Sequence, residues 1–191
     1  MQNSPEGKFI LDKLRTDLPA HLLYHSLDHT LDVYQRAEAI ATAENVTGKA
    51  LDLILVAALY HDSGYLRGRK GHEEHSCAIV QETLPAYGYT AQEIAEICKL
   101  IMATQIPQRP ESLSAQILCD ADLDYLGRDD FEEKAHNLYL EMHAEGLISN
   151  EADWDKLQLN FLMQHHYFTR TSVQSRNAAK ENNINALKEQ K

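Results

Sequence analysis

The chain has 191 residues, a quarter of them charged, and a formal net charge of −11. Its length suits one domain with a sizeable core. The acidity excludes a general nucleic-acid or anionic-membrane surface but still admits a small anionic ligand at a local positive site.

No apolar run approaches the roughly 20 residues that span a bilayer. The opening MQNSPEGKFI has no basic segment leading an apolar stretch, so no signal peptide is expected and the chain reads as cytoplasmic. Apolar residues recur at spacings of three and four almost throughout, and no alternating run marks a strand. An all-α bundle of about eight or nine helices is therefore expected, with residues 1–191 forming a single domain.

In chain order, Phe9, Ile10, Leu14 and Leu18 suggest a first helix closed by Pro19. A second runs from Leu27 to about Glu44. Lys49 to about Asp62 is apolar on nearly every side, which marks a buried, central helix. SGYLRGRKG, residues 63–71, holds three of the eight glycines and reads as a loop. Helical spacing resumes from about His72 to Leu84, and again to Thr104 from Thr90, an N-cap with Glu93 three residues on. After the Pro-punctuated QIPQRPES, helices are expected over 113–126, 129–144, 150–168 and from 173 onward. The scattered Cys77, Cys98 and Cys119 fit reduced thiols rather than disulfides.

Three stretches put metal-competent side chains on apolar helices: His25 and His29, His61-Asp62, and Asp120 with Asp122. A buried carboxylate is costly without a partner, so these groups need one another or an ion. Asp122 is flanked at three and four residues by Leu118, Cys119, Tyr125 and Leu126, and so faces the core. Asp120 has the more polar neighbourhood and is kept as the alternative ligand or a supporting group. A mixed imidazole and carboxylate set suits Mn, Fe, Co, Ni or Zn and tolerates Mg. Each piece alone has a blander reading as surface or core decoration; the order His, His-Asp, Asp on successive apolar helices is what sets the combination apart.

From about Leu22 to Gly127 the chain resembles the HD-domain metal-dependent phosphohydrolases, named for the dipeptide at His61-Asp62. Tyr24-His25, His29, Asp32-Val33 and Gln35 are also similar to the opening motif of class I cyclic-nucleotide phosphodiesterases, and ADLDYL to their Ala-Asp-Leu segment. The resemblance implies a helical HD fold, with His29, His61, Asp62 and Asp122 as metal ligands and His25 as the group that protonates the leaving oxygen. The chain departs from the phosphodiesterases after His-Asp, where it reads SGYLRGRKGHEEHS instead of a Pro-Gly segment and an asparagine. It is closer to small bacterial-type HD proteins.

The reaction implied is cleavage of a phosphoester of a nucleotide or other small phosphorylated metabolite by a metal-activated water. Asp62 or Asp120 would accept the water proton, and His25 would donate to the leaving alkoxide. Arg67, Arg69 and Lys70 form a cationic cluster in an acidic chain, placed to clamp phosphate oxygens, and His72 is close enough to reach the cavity. Two alternatives stand beside this reading: a di-iron oxygenase on the same scaffold, drawing on His72, His75, His165 or His166, and a non-catalytic metal- or nucleotide-binding regulator. No helical seam marks a homodimer, which stays open.

Overall fold

The computed structural model describes residues 1–189, and among these there are nine α-helices and no strand. They are α1 Pro5–Asp17, α2 Leu27–Ala43, α3 Gly48–Tyr60, α4 His72–Thr83, α5 Ala91–Ala103, α6 Leu113–Asp122, α7 Phe131–Ala144, α8 Glu151–Gln164 and α9 Arg170–Glu189. Short 3-10 turns occupy Ser63–Leu66, Leu84–Tyr87 and Asp124–Gly127. No helix is long and apolar enough to cross a membrane.

Local chemistry sets the helix starts. Ser4, Ser26, Ser112 and Asn150 each accept a backbone N–H of the first turn, which satisfies a donor the helix leaves unpaired. Thr90 and Glu93 form the expected reciprocal capping box at the start of α5. Leu18, held extended before Pro19, ends α1.

Three helices stop earlier than apolar periodicity alone suggests. α3 ends at Tyr60, with His61 as its cap and Asp62 at the head of the following 3-10 turn. Leu123 leaves helical geometry and ends α6 at Asp122, so the segment expected to reach Leu126 finishes as a 3-10 turn. α8 stops at Gln164, and residues 165–168 run on without helix. The first two breaks lie at the candidate ligands.

Two hydrophobic clusters hold the helices together. The larger joins α1 to α6 around α3, whose Ile54 to Tyr60 are all buried, with Leu14, Ile97, Leu100 and Ile117 against them. Removing one such side chain to alanine typically costs about 2–5 kcal/mol. The smaller gathers Tyr24 from the segment before α2 and Tyr125, Leu126, Phe131, Trp154, Leu162 and Ile184 from the Asp124 turn and α7 to α9. Gly64 closes the gap between the Ser63–Leu66 turn and α4: a Cβ there would lie 1.8 Å from the His72 carbonyl oxygen. The seam between the two clusters, where α2 begins and α3 and α6 end, carries the charged residues described next.

Candidate metal centre

Helix ends deliver each of the converging side chains. His25 precedes the Ser26 cap of α2 and His29 lies in its first turn. His61 and Asp62 sit where α3 gives way to the 3-10 turn, so two neighbouring side chains can face one point. Asp122 is the last residue of α6.

His29 Nε2 and His61 Nε2 face each other at 3.4 Å. His61 Nδ1 donates to the Ala58 carbonyl at 2.9 Å, which leaves the Nε2 lone pair aimed into the gap. Asp122 Oδ1 lies 3.3 Å from His29 Nε2 and 3.5 Å from His61 Nε2. One ligand atom each from His29, His61 and Asp122 falls within 4.8 Å of the others. Asp62 Oδ2 adds a fourth, 3.4 Å from His29 Nε2 and 3.2 Å from His61 Nε2. That oxygen is buried and has no hydrogen-bond partner.

Two imidazoles nose to nose and an orphaned buried carboxylate oxygen are costly as they stand. A divalent ion bound by the two nitrogens and two oxygens would satisfy all of them, and the donor set fits the transition metals expected from the residue types. The electrostatics agree. Burial opposes charge on His29 and His61, yet the Asp122 and Asp62 carboxylates outweigh it and raise both imidazoles above their ordinary range. Burial likewise works against the two carboxylates, while His61 and His29 hold Asp62 and Asp122 below theirs. The pocket is built for a positive charge.

The two candidate aspartates point in different directions. Asp122 faces the imidazoles, whereas Asp120 turns to the opposite side of α6. Its oxygens accept the Phe168 and Thr169 backbone N–H groups at 2.8 Å each and the Thr169 hydroxyl at 2.7 Å. Asp120 thus anchors the segment before α9 and is not brought to the cavity.

A cavity of about 500 Å3 opens over this cluster, with His25, Asp62, Tyr65, Arg69, His72 and Asp122 in its wall. His25 stacks on Tyr65 with ring centroids 4.2 Å apart, and Tyr65 meets His72 at 4.4 Å. His72 Nε2 lies 3.4 Å from Asp62 Oδ1, so His72 does reach the rim. Of the expected cationic cluster only Arg69 lines the cavity. Arg67 pairs with Glu82 at 2.6 Å on the surface and Lys70 is exposed. Arg69 is itself engaged by Glu141 and Glu145.

Glu141 had no sequence signal, being one glutamate among several on α7. It is fully buried, accepts the Tyr24 and His25 backbone N–H groups at 3.0 Å each, and pairs with His25 Nδ1. His25 and Arg69, 44 positions apart in the sequence, share this carboxylate.

The HD-domain family profile matches residues 26–124. Among solved structures, the chain is similar to a predicted HD superfamily hydrolase from an uncultured Thermotogales bacterium. That likeness has a TM-score of 0.63 and 22% identity, over 99% of this chain and 93% of the other. A second structure, from Lactobacillus plantarum, gives a TM-score of 0.69 at 19% identity over 100% and 98% of the two chains. At these identities the structural likeness carries the fold alone. No curated protein matches the chain.

Proposed function

The chain belongs to the HD-domain family, and from that premise we propose that it is a metal-dependent phosphohydrolase acting on a small phosphorylated metabolite. The observation that carries this reading is the facing pair His29 Nε2 and His61 Nε2, with Asp122 and the unpartnered Asp62 oxygen beside them.

His29, His61, Asp62 and Asp122 would hold the ion. A bound divalent ion supplies a water acidified toward neutral pH and a positive charge for phosphoryl oxygens. The protein's own groups then move the protons. Asp62, whose second oxygen Oδ1 faces His72 at 3.4 Å, is the acceptor within reach of the site; Asp120 is committed to Phe168 and Thr169. His25 has Nδ1 occupied by Glu141, which leaves Nε2 to give a proton to the departing alkoxide. Glu141 fixes that ring as carboxylates fix catalytic histidines elsewhere.

The di-iron oxygenase alternative needs a second set of ligands, and among the described residues one group of this kind converges. Release of phosphate from a panel of monoesters by manganese-supplemented protein tests the reading, and activity should persist without oxygen. His61→Ala and Asp62→Ala should each reduce it about a hundredfold or more. Hydrolysis unchanged in both variants would place the activity elsewhere.

A further inference from the structure

The same cavity has a largely apolar chamber whose wall includes Ile106, Leu138, Met142, Trp154, Leu157 and Phe161. The whole cavity, polar end included, has a volume of about 500 Å3, that of a small-molecule site rather than a water pocket. Trp154 is 8% exposed and belongs to the smaller core cluster, whereas Leu157 and Ile106 are 43% and 55% exposed at the rim. One end is thus polar and metal-competent, and the other is a greasy slot built by α7, α8 and Ile106 of the segment between α5 and α6.

The charges in the wall are uneven as well. Asp62, Glu73 and Asp122 line it, and Arg69 is the one Lys or Arg side chain that does so among the described residues. Its guanidinium already meets Glu141 and Glu145. Thr104, Gln105 and Gln158 add uncharged polar groups. A single phosphate would find its counter-charge at the divalent ion that His29, His61, Asp62 and Asp122 would hold. His25 and His72 also line it, but His25 is paired with Glu141 and His72 with Asp62, so a further phosphate would meet no Lys, Arg or His free of a carboxylate partner. A sugar or glycerol moiety seated on Leu138 and Met142 would find no partner for its hydroxyls in those two side chains, whereas an apolar group there removes hydrocarbon from water.

We infer that the ligand of this site is a phosphomonoester with one phosphate and an aromatic or apolar alcohol that lies against Trp154 and Phe161. The inference rests on the phosphohydrolase reading only in calling that ligand a substrate. Tyr65 is not the platform, because its ring already stacks with His25 and contacts His72. Tyr24 and Tyr125 also line the cavity but pack against His29 and each other, which leaves Trp154 and Phe161 of α8 as the platform.

Trp154 is the sole tryptophan of the chain, so its fluorescence reports occupancy of the chamber directly. Three phosphonates, which cannot be hydrolysed, serve as probes by calorimetry and fluorescence on manganese-loaded protein. They are naphthylmethylphosphonate, methylphosphonate, and the naphthyl compound carrying a second phosphonate on its far side. The naphthyl monophosphonate should bind at least about tenfold tighter than either of the others and change the Trp154 emission. Equal or tighter binding of methylphosphonate or of the bisphosphonate would overturn the inference. Phe161→Ser should narrow the naphthyl-to-methyl ratio about threefold or more, and so should Leu157→Lys at the exposed rim, where folding is not at stake. An unchanged ratio in folded Leu157→Lys counts against the chamber.

Turnover of naphthyl phosphate and glycerol phosphate, measured in parallel, separates the two claims. Tight aryl binding with no cleavage of any ester sinks the hydrolase and keeps the ligand class. Cleavage of both esters without aryl preference keeps the hydrolase and sinks the ligand class.

Discussion

Glu141 accepts two backbone N–H groups from Tyr24 and His25, pairs with the His25 ring and meets the Arg69 guanidinium, all while fully buried. Burial would push its proton affinity up, but the His25 contacts and Arg69 charge hold its carboxyl below the usual glutamate range. A neutral amide in its place keeps the shape and loses the charge that orients the imidazole. Glu141→Gln is therefore expected to lower kcat about 10- to 100-fold while bound metal stays at its normal level, as activity assays and elemental analysis on one sample would show. An unchanged kcat would reduce Glu141 to a scaffold role. Residues that need one another at short range were readable in the sequence: His25 and His29 lie one turn apart, and the apolar neighbours of Asp122 favoured it over Asp120. Glu141 was not readable, because its partners are more than 70 positions away and nothing in the pattern of α7 sets it apart from Glu132 and Glu133. Nor did the sequence reveal that Arg67 would pair with Glu82 instead of facing the cavity.

At the scale of elements, periodicity placed all nine helices, since each buries one apolar face in a shared core. Their ends were less legible. α6 stops short of Leu123 to Leu126 because Leu123 leaves helical geometry, and α3 gives way where Asp62 does so, one residue after the still-helical His61; those breaks aim the candidate ligands. Gly64 belongs to the same device. It allows the 3-10 turn after Asp62 to rest on the first turn of α4, where Ser76 accepts the Gly64 N–H at 2.7 Å and donates to the His61 carbonyl at 2.6 Å. With backbone atoms 1.8 and 2.8 Å from the added Cβ, Gly64→Ala cannot be relieved by a side-chain rotation. It should cost about 3 kcal/mol, a fall in Tm of about 6–12 °C by calorimetry for a chain of this size, with weaker metal retention. A melting temperature within a degree of the parent would show that the turn and α4 move apart freely.

For the whole molecule, two clusters of buried side chains meet along a seam, and the seam holds the histidines and carboxylates. One further histidine bears on stability there. Burial first, then the neighbouring Lys180 charge, pushes His165 down to about 3. Its Nε2 is buried with no partner. A depressed imidazole is neutral in the fold and charges on unfolding, so its contribution is complete above the ordinary value near 6.5 and is lost as pH falls toward 3. Between pH 7 and 5 the parent should lose about 1–2 kcal/mol more stability than His165→Gln in denaturant titrations. Parallel losses would show that His165 reaches water. Elemental analysis decides whether His29, His61, Asp62 and Asp122 hold one ion. Folded parent, Asp122→Asn and Asp120→Asn proteins are incubated with manganese or zinc, desalted and measured for bound metal. About one ion per chain is expected in the parent and in Asp120→Asn, with most of it lost in Asp122→Asn. Full retention in Asp122→Asn, or loss confined to Asp120→Asn, would contradict the site.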